Sequence, residues 1–179
     1  MGKLLDLADR SLENKTKEEL LMADIKLHGN NFILYPPFFN RADDLPDLEW
    51  EKVSFTPENR NKLPKLKGVY AFAIEISKGG LPPSTLILYV GKAGDLNSGN
   101  SLWKRYYDYI RTEKKNDRPR IGEMLRRWKG HLSYYYATVD ENISTGMVEE
   151  TLLDVLIPPY NRGDFSPELN SLLKGANIL

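Results

Sequence analysis

The chain has 179 residues, 41% of them hydrophobic and 28% charged, with 25 Lys+Arg against 25 Asp+Glu and no cysteine. Neutrality excludes a uniformly basic nucleic-acid binder, and the lack of cysteine excludes disulfides, zinc ribbons, cysteine nucleophiles and iron–sulfur clusters. No apolar run reaches the roughly 18 residues of a membrane span and the opening MGKLLDLADRS turns acidic too early for a signal peptide, so the expectation is a cytoplasmic, soluble protein with no membrane partner.

In chain order, residues 3–12 suit a short helix. Residues 16–27 suit a longer one, opened by a Thr16/Glu19 capping box and stopped at Gly29. Residues 30–66 carry Pro36-Pro37, the acidic RADDLPDLEWE and further prolines, and read as an irregular packed extension. From Gly68 the pattern becomes β-rich: GVYAFAIEI (68–76), LILYV (86–90) and, later, HLSYYYATV (131–139). A polar loop, SKGGLPPST, joins the first two strands. Helices are expected at 101–112, 119–129 and 147–156, the last ended by Pro158-Pro159. Ser166-Pro167 opens a short terminal helix. The implied fold is α/β (α+β): a small three-stranded antiparallel sheet flanked by helices. The expected division is an extension over 1–66, a domain over 67–162 and a C-terminal helix and tail over 163–179.

The zero charge is a sum of unlike parts. Residues 61–130 carry a net +9 and the two flanks together a net −9. A charge block is usually a solvated face. This one is interleaved with Trp103, Tyr106, Tyr107, Tyr109 and Trp128, which makes it a candidate polyanion-facing surface.

Chemistry-bearing groups fall in order along the same stretch. Lys67-Gly68-Val69-Tyr70 opens the first strand, and Tyr89-Val90-Gly91-Lys92 closes the second. Lys104-Arg105 follows, with Tyr109 one helical turn beyond Arg105. Glu149 lies on the late helix and Pro158-Pro159-Tyr160-Asn161 just after it. Leucines at 152, 153 and 156 put Glu149 on the core-facing side, whereas Glu150 lines up with Asp154 as a solvent-facing pair. With only His28 and His131 available, a Ser-His-Asp triad or a His-based metal site has little room. His131 reads as structural, Arg162-Gly163-Asp164 as a loop, and Glu13-Asn14-Lys15 as a chance match to a nuclease triplet.

Together these elements resemble the GIY-YIG nuclease family over about residues 67–161. GVY stands for the first tripeptide and YVG for the second; YVGKAGDL looks like the YIGKAxDL of excinuclease-type members, and Glu149 with PPYN resembles the family's closing motif. Two loops, 79–84 and Asn97–Ser101, lengthen the compact pattern.

The resemblance implies a metal-dependent endonuclease that hydrolyses DNA phosphodiester bonds, with double-stranded or branched DNA as partner. Tyr70 would be the general base and Tyr89 would orient the site. Arg105 and Lys92 would contact phosphate, and Tyr109, which matches the family's Tyr/His four residues beyond the arginine, would be a further catalytic residue. Glu149 would bind one divalent cation, Mg2+ or Mn2+. Gly91, Lys104 and Asn161 would line the substrate side. The alternative is a non-catalytic nucleic-acid-binding or protein-interaction module on the same fold.

Overall fold

The structure is a computed structural model that describes residues 16–77, 82–96, 98–115 and 118–178, with the backbone alone at 113–115. The expected helix at 3–12, the Glu13-Asn14-Lys15 triplet and most of the 79–84 loop's first half lie outside these residues. The chain divides into two compact units, the first ending at Asn31 and the second beginning at Phe32. In the first, α1 (Lys17–Leu27) forms where the capping box places it. Thr16 Oγ1 accepts from the Glu19 amide at 3.2 Å, and Glu19 accepts from the Thr16 amide at 2.8 Å.

The second unit is built on one antiparallel sheet. Its strands are β1 (Glu51–Ser54), β2 (Gly68–Ile76), β3 (Ser84–Ala93) and β4 (Leu132–Thr138), in the order β1-β4-β2-β3. The expected sheet has three strands; the structure adds β1, from the stretch that reads as irregular. EKVS has one apolar residue and no alternation to display, so its pairing is supplied by its neighbour. Glu51 sits opposite Tyr136 and accepts from its hydroxyl at 3.0 Å. The half of the extension from Phe32 onward therefore belongs to the same unit as the strands that follow it.

Strand β2 is central and buried on both faces, which is why it reads as an almost continuous apolar run. Its period of two sorts the core into two layers. Tyr70 and Phe72 point into one cluster with Leu88, Tyr106, Tyr109, Met124 and Tyr134. Val69 and Ala71 point into the other with Val90, Val148, Leu152 and Leu153. Helices α3 (Leu102–Lys115) and α4 (Pro119–Arg127) supply the first layer; α5 (Thr145–Leu156) and α6 (Pro167–Gly175) supply the second. A short α2 (Pro36–Phe39) and two 3-10 turns, Asn40–Asp44 and Pro57–Lys62, complete the unit.

One expectation about α5 fails. Asp154 is not solvent-facing: it is 2% exposed, its carboxylate takes Arg41 at 3.0 Å and the Ser166 amide at 3.0 Å. Helical spacing from Glu150 could not reveal this, because both partners come from elsewhere in the chain. No described helix is long and apolar enough to cross a membrane.

Candidate functional site

The first half of the site is a cluster of tyrosines between the sheet and α3. Tyr70 comes from β2, Tyr89 from the edge strand β3, and Tyr109 from α3. The Tyr70 and Tyr109 hydroxyls lie 2.6 Å apart, and Tyr109 donates to the Tyr89 hydroxyl at 3.5 Å. The rings pack edge-to-face or tilted, with Tyr70–Tyr89 centroids 6.4 Å apart. The result is a chain of hydroxyls running from a fully enclosed end at Tyr70, 2% exposed, to a half-buried end at Tyr89.

Burial holds all three phenols in the protonated form. Tyr70 and Tyr109 are pushed well above the ordinary tyrosine range by desolvation, then by neighbouring phenols, and Arg105 pulls both back part of the way. Desolvation outweighs the pull of the nearby arginine on both. Tyr89 is also raised, first by burial, then by Tyr109, then by the charges of Glu149 and Asp164. That last cause matters for position. It shows Tyr89 lying within electrostatic reach of the carboxylate on α5.

Arg105 stands behind the tyrosines on α3. Its side chain is 23% exposed, 3.9 Å from Asp108, and its Nε is buried with no hydrogen-bond partner among the described residues. The 98–101 part of the lengthened loop does not displace it. That segment is folded back by Ser98 on Asp95 and by Asn100 on Ser101, so α3 starts at Leu102 with Arg105 one turn in.

The second half of the site lies where β3 ends and α5 begins. Lys92 Nζ is 3.6 Å from Glu149 Oε2 and 3.5 Å from Asp95 Oδ2. Asp95 in turn accepts from the Leu96 amide at 2.9 Å and from Ser144 Oγ at 3.2 Å, while Ser144 caps α5. Burial raises the Glu149 carboxyl above the usual carboxylate range; Lys92 lowers it and Asp164 raises it further. Glu149 is 22% exposed, as the leucine pattern predicts, while Glu150 faces solvent. With one cation serving two carboxylates and a third acid nearby, the pocket is short of positive charge. A hydrated divalent ion bound here would take Glu149 as its protein ligand. Among the described residues no three acidic or histidine side chains converge, so most of such an ion's ligands would be water and phosphate.

Two of the expected substrate-side residues, Gly91 and Asn161, are engaged within the fold. A Cβ on Gly91 would lie 2.4 Å from the Tyr70 hydroxyl and 2.6 Å from Cζ, so Gly91 is the space that Tyr70 occupies. Asn161 is 2% exposed and its amide is fully used, accepting from the Val90 amide and donating to the Val90 carbonyl, each at 2.9 Å. With β3 at the sheet edge, this rung satisfies groups that would otherwise be left open. Lys104 is exposed and donates to the Gly99 carbonyl at 2.7 Å. Of the aromatics in the basic block, Tyr106 and Tyr109 are core residues, and Tyr106 is bonded to both backbone groups of Thr56.

Other residues belong to the site without having been expected. Asp95 positions Lys92. Gly146 lies close beside them: a Cβ there would stand 2.9 Å from both Lys92 Nζ and Asp95 Oδ2, so the ion pair would have to shift. The signal for Gly146 was present: glycine in the first turn of a capped helix costs helix propensity and marks a close approach. Arg118 Cζ lies 5.9 Å from the Tyr109 ring, adding a second arginine near the tyrosines.

The geometry thus straddles the edge strand. Phenols and a guanidinium come from the α3 layer, and an ammonium and carboxylates come from the α5 layer. Such a set can bind an anion, orient hydroxyl hydrogen bonds on it and hold a cation beside it. No family model matches the chain, and no curated protein and no solved structure matches it.

Proposed function

We propose that the unit carrying β2 to α5 is a metal-dependent endonuclease of the GIY-YIG type, hydrolysing DNA phosphodiester bonds. The observation that carries this reading is the pairing of two charged clusters across edge strand β3: Arg105 beside the Tyr70–Tyr109–Tyr89 hydroxyl chain, and Lys92 with Glu149, whose charge acts on Tyr89. The part of the Arg105 side chain that is exposed, 23%, is what a phosphate would meet.

In this reaction Arg105 and Lys92 bind the scissile phosphate and stabilise the charge that grows on it. Glu149 would hold the divalent cation, Mg2+ or Mn2+, which supplies Lewis-acid charge stabilisation when bound. Tyr89 is the one phenol of the chain with partial exposure, so we assign it contact with the attacking water and acceptance of its proton. Tyr109 and Tyr70 stand behind it and fix its hydroxyl. Relative to the sequence reading, Tyr89 and Tyr70 exchange roles, since the Tyr70 hydroxyl is enclosed against Tyr109.

One contact favours a second reading, a non-cleaving nucleic-acid-binding or protein-interaction module. Lys92 already neutralises part of Glu149 at 3.6 Å, as a site with no metal would need. The test is cleavage of supercoiled plasmid, branched duplex and single strands with Mg2+ or Mn2+. Nicking by the native protein and none by Glu149→Ala, with equal circular dichroism, supports the nuclease. Binding without cleavage on every substrate supports the module and refutes the nuclease.

A further inference from the structure

Along the flank of α3, with Trp103 at the margin of the tyrosine core, five side chains form an alternating row of cations and rings. Lys65 Nζ lies 5.4 Å from the Trp103 ring centroid; Arg60 Cζ lies 3.5 Å from Trp103 and 3.8 Å from Tyr107; Arg111 Cζ lies 5.9 Å from Tyr107. Trp103, Tyr107 and Arg111 are spaced by four along the helix, so they share one face. That face is offset from the one that buries Leu102, Tyr106, Tyr109 and Ile110. Arg60 reaches it from the 3-10 turn at Pro57–Lys62 and Lys65 from the segment before β2. Tyr107 is 40% exposed, and Lys65 and Arg111 are exposed.

The row is held together by cation–π contacts rather than ion pairs. Among the described residues none of its three cations is bonded to a carboxylate. Asp108, one turn before Arg111, lies against Arg105 instead, and Glu58, two residues from Arg60, is held by Thr56. An aromatic face fixes a cation in place without neutralising it. The outcome is a fixed strip of undischarged positive charge. Because cations already cover faces of both rings, the rings are poorly placed to stack on unpaired bases. What the strip offers a ligand is regularly placed charge, which matches the fixed phosphates of a duplex.

We propose that the Lys65–Trp103–Arg60–Tyr107–Arg111 row is a docking strip for the backbone of duplex DNA, separate from the cleavage site. It rests on the proposed DNA substrate for its biological sense, but its test does not need cleavage. Each phosphate contact contributes about 0.9 to the slope of log affinity against log salt. Fluorescence anisotropy with a labelled duplex, in EDTA so that nothing is cut, reads that slope directly. The doubly neutralised Lys65→Gln/Arg111→Gln protein should bind with a slope shallower by about 2, and Arg60→Gln should make it shallower by about a further 1. Lys174→Gln on α6 should leave it unchanged.

Because Lys65 and Arg111 are exposed, the double variant keeps the test independent of folding. An unchanged slope for the double variant overturns the proposal, whether or not the native protein cleaves DNA. So does a loss confined to single strands, or one reproduced equally with polyglutamate in place of duplex. A shallower duplex slope alongside unimpaired plasmid nicking at low salt supports both the strip and the separate cleavage site. The same slope change in a protein that never nicks supports the strip and removes the nuclease reading alone.

Discussion

Gly91→Ala sets two well-understood effects against each other, and the structure decides which wins. Gly91 lies within β3 opposite Tyr70. Replacing a strand glycine by alanine should by itself gain roughly 0.5–1 kcal/mol by restricting the unfolded chain. Against that, the new methyl would stand 2.4 Å from the Tyr70 hydroxyl, 2.6 Å from Cζ and 3.0 Å from Cε2. The Tyr70 ring cannot swing away freely: it stacks on Tyr134 at 5.3 Å, meets Phe72 edge-on at 6.5 Å, and its hydroxyl is fixed by Tyr109 at 2.6 Å. Overpacking of this kind costs about 1–3 kcal/mol, and a buried hydroxyl pair pulled apart costs about 1–3 kcal/mol more. The balance is a net loss of about 1–5 kcal/mol, or a fall of roughly 2–20 °C in Tm for a chain of this size. Thermal unfolding followed by circular dichroism measures it. Tyr70→Phe should relieve little of the loss, since Cζ itself is in the way, whereas Tyr70→Leu in the same protein should recover at least ~1 kcal/mol through coupling. A Gly91→Ala protein that melts with the native one, or shows no coupling to Tyr70→Leu, refutes the claim that this glycine exists to seat Tyr70.

The remaining expectations concern the outer tyrosine and the buried acid. Cleavage by the native protein should rise about tenfold per pH unit from 7 to 9, because Tyr89 is held above the ordinary tyrosine range and only its phenolate accepts a proton. Tyr89→Phe should lose about 10²–10⁴ in rate and flatten that rise, whereas a plateau below pH 8 in the native protein would assign the base elsewhere. Asp154→Ala should cost about 2–4 kcal/mol by urea unfolding, somewhat under the full value for a broken buried pair, because Arg41 is 36% exposed and keeps Glu168. Asp154→Asn should lose less, since it still accepts from the Ser166 amide; equal losses would show that this hydrogen bond contributes nothing.

What could be read in advance divides by the kind of physics involved. Strands β2, β3 and β4 and helices α3 to α6 carry their own periodicity, caps and breaking prolines, so their outlines were legible. Strand β1 carries none of these: its partner Tyr136 selects it, and no local signal can report a partner. The aromatics of the basic block show the same limit. Composition placed Tyr106 and Tyr109 on a charged surface, yet α3 splits its aromatics by helical spacing, two into the core and Trp103 and Tyr107 outward beside cations. That split was available from the three-to-four-residue spacing alone, and charge counting concealed it. The candidate site divides likewise. Tyr89, Lys92, Arg105 and Glu149 could be named because their residue types are their chemistry. Gly91, Gly146 and Asn161 act by leaving space for a ring, leaving space for an ammonium, and bonding a strand edge. Absence of a side chain and a bond to backbone have no signature in residue type, so a short motif says little of what its glycines and amides do. A glycine or an amide in such a motif is therefore best taken first as support for the nearest charged or phenolic member, and as a ligand contact only once its hydrogen bonds are seen to be free.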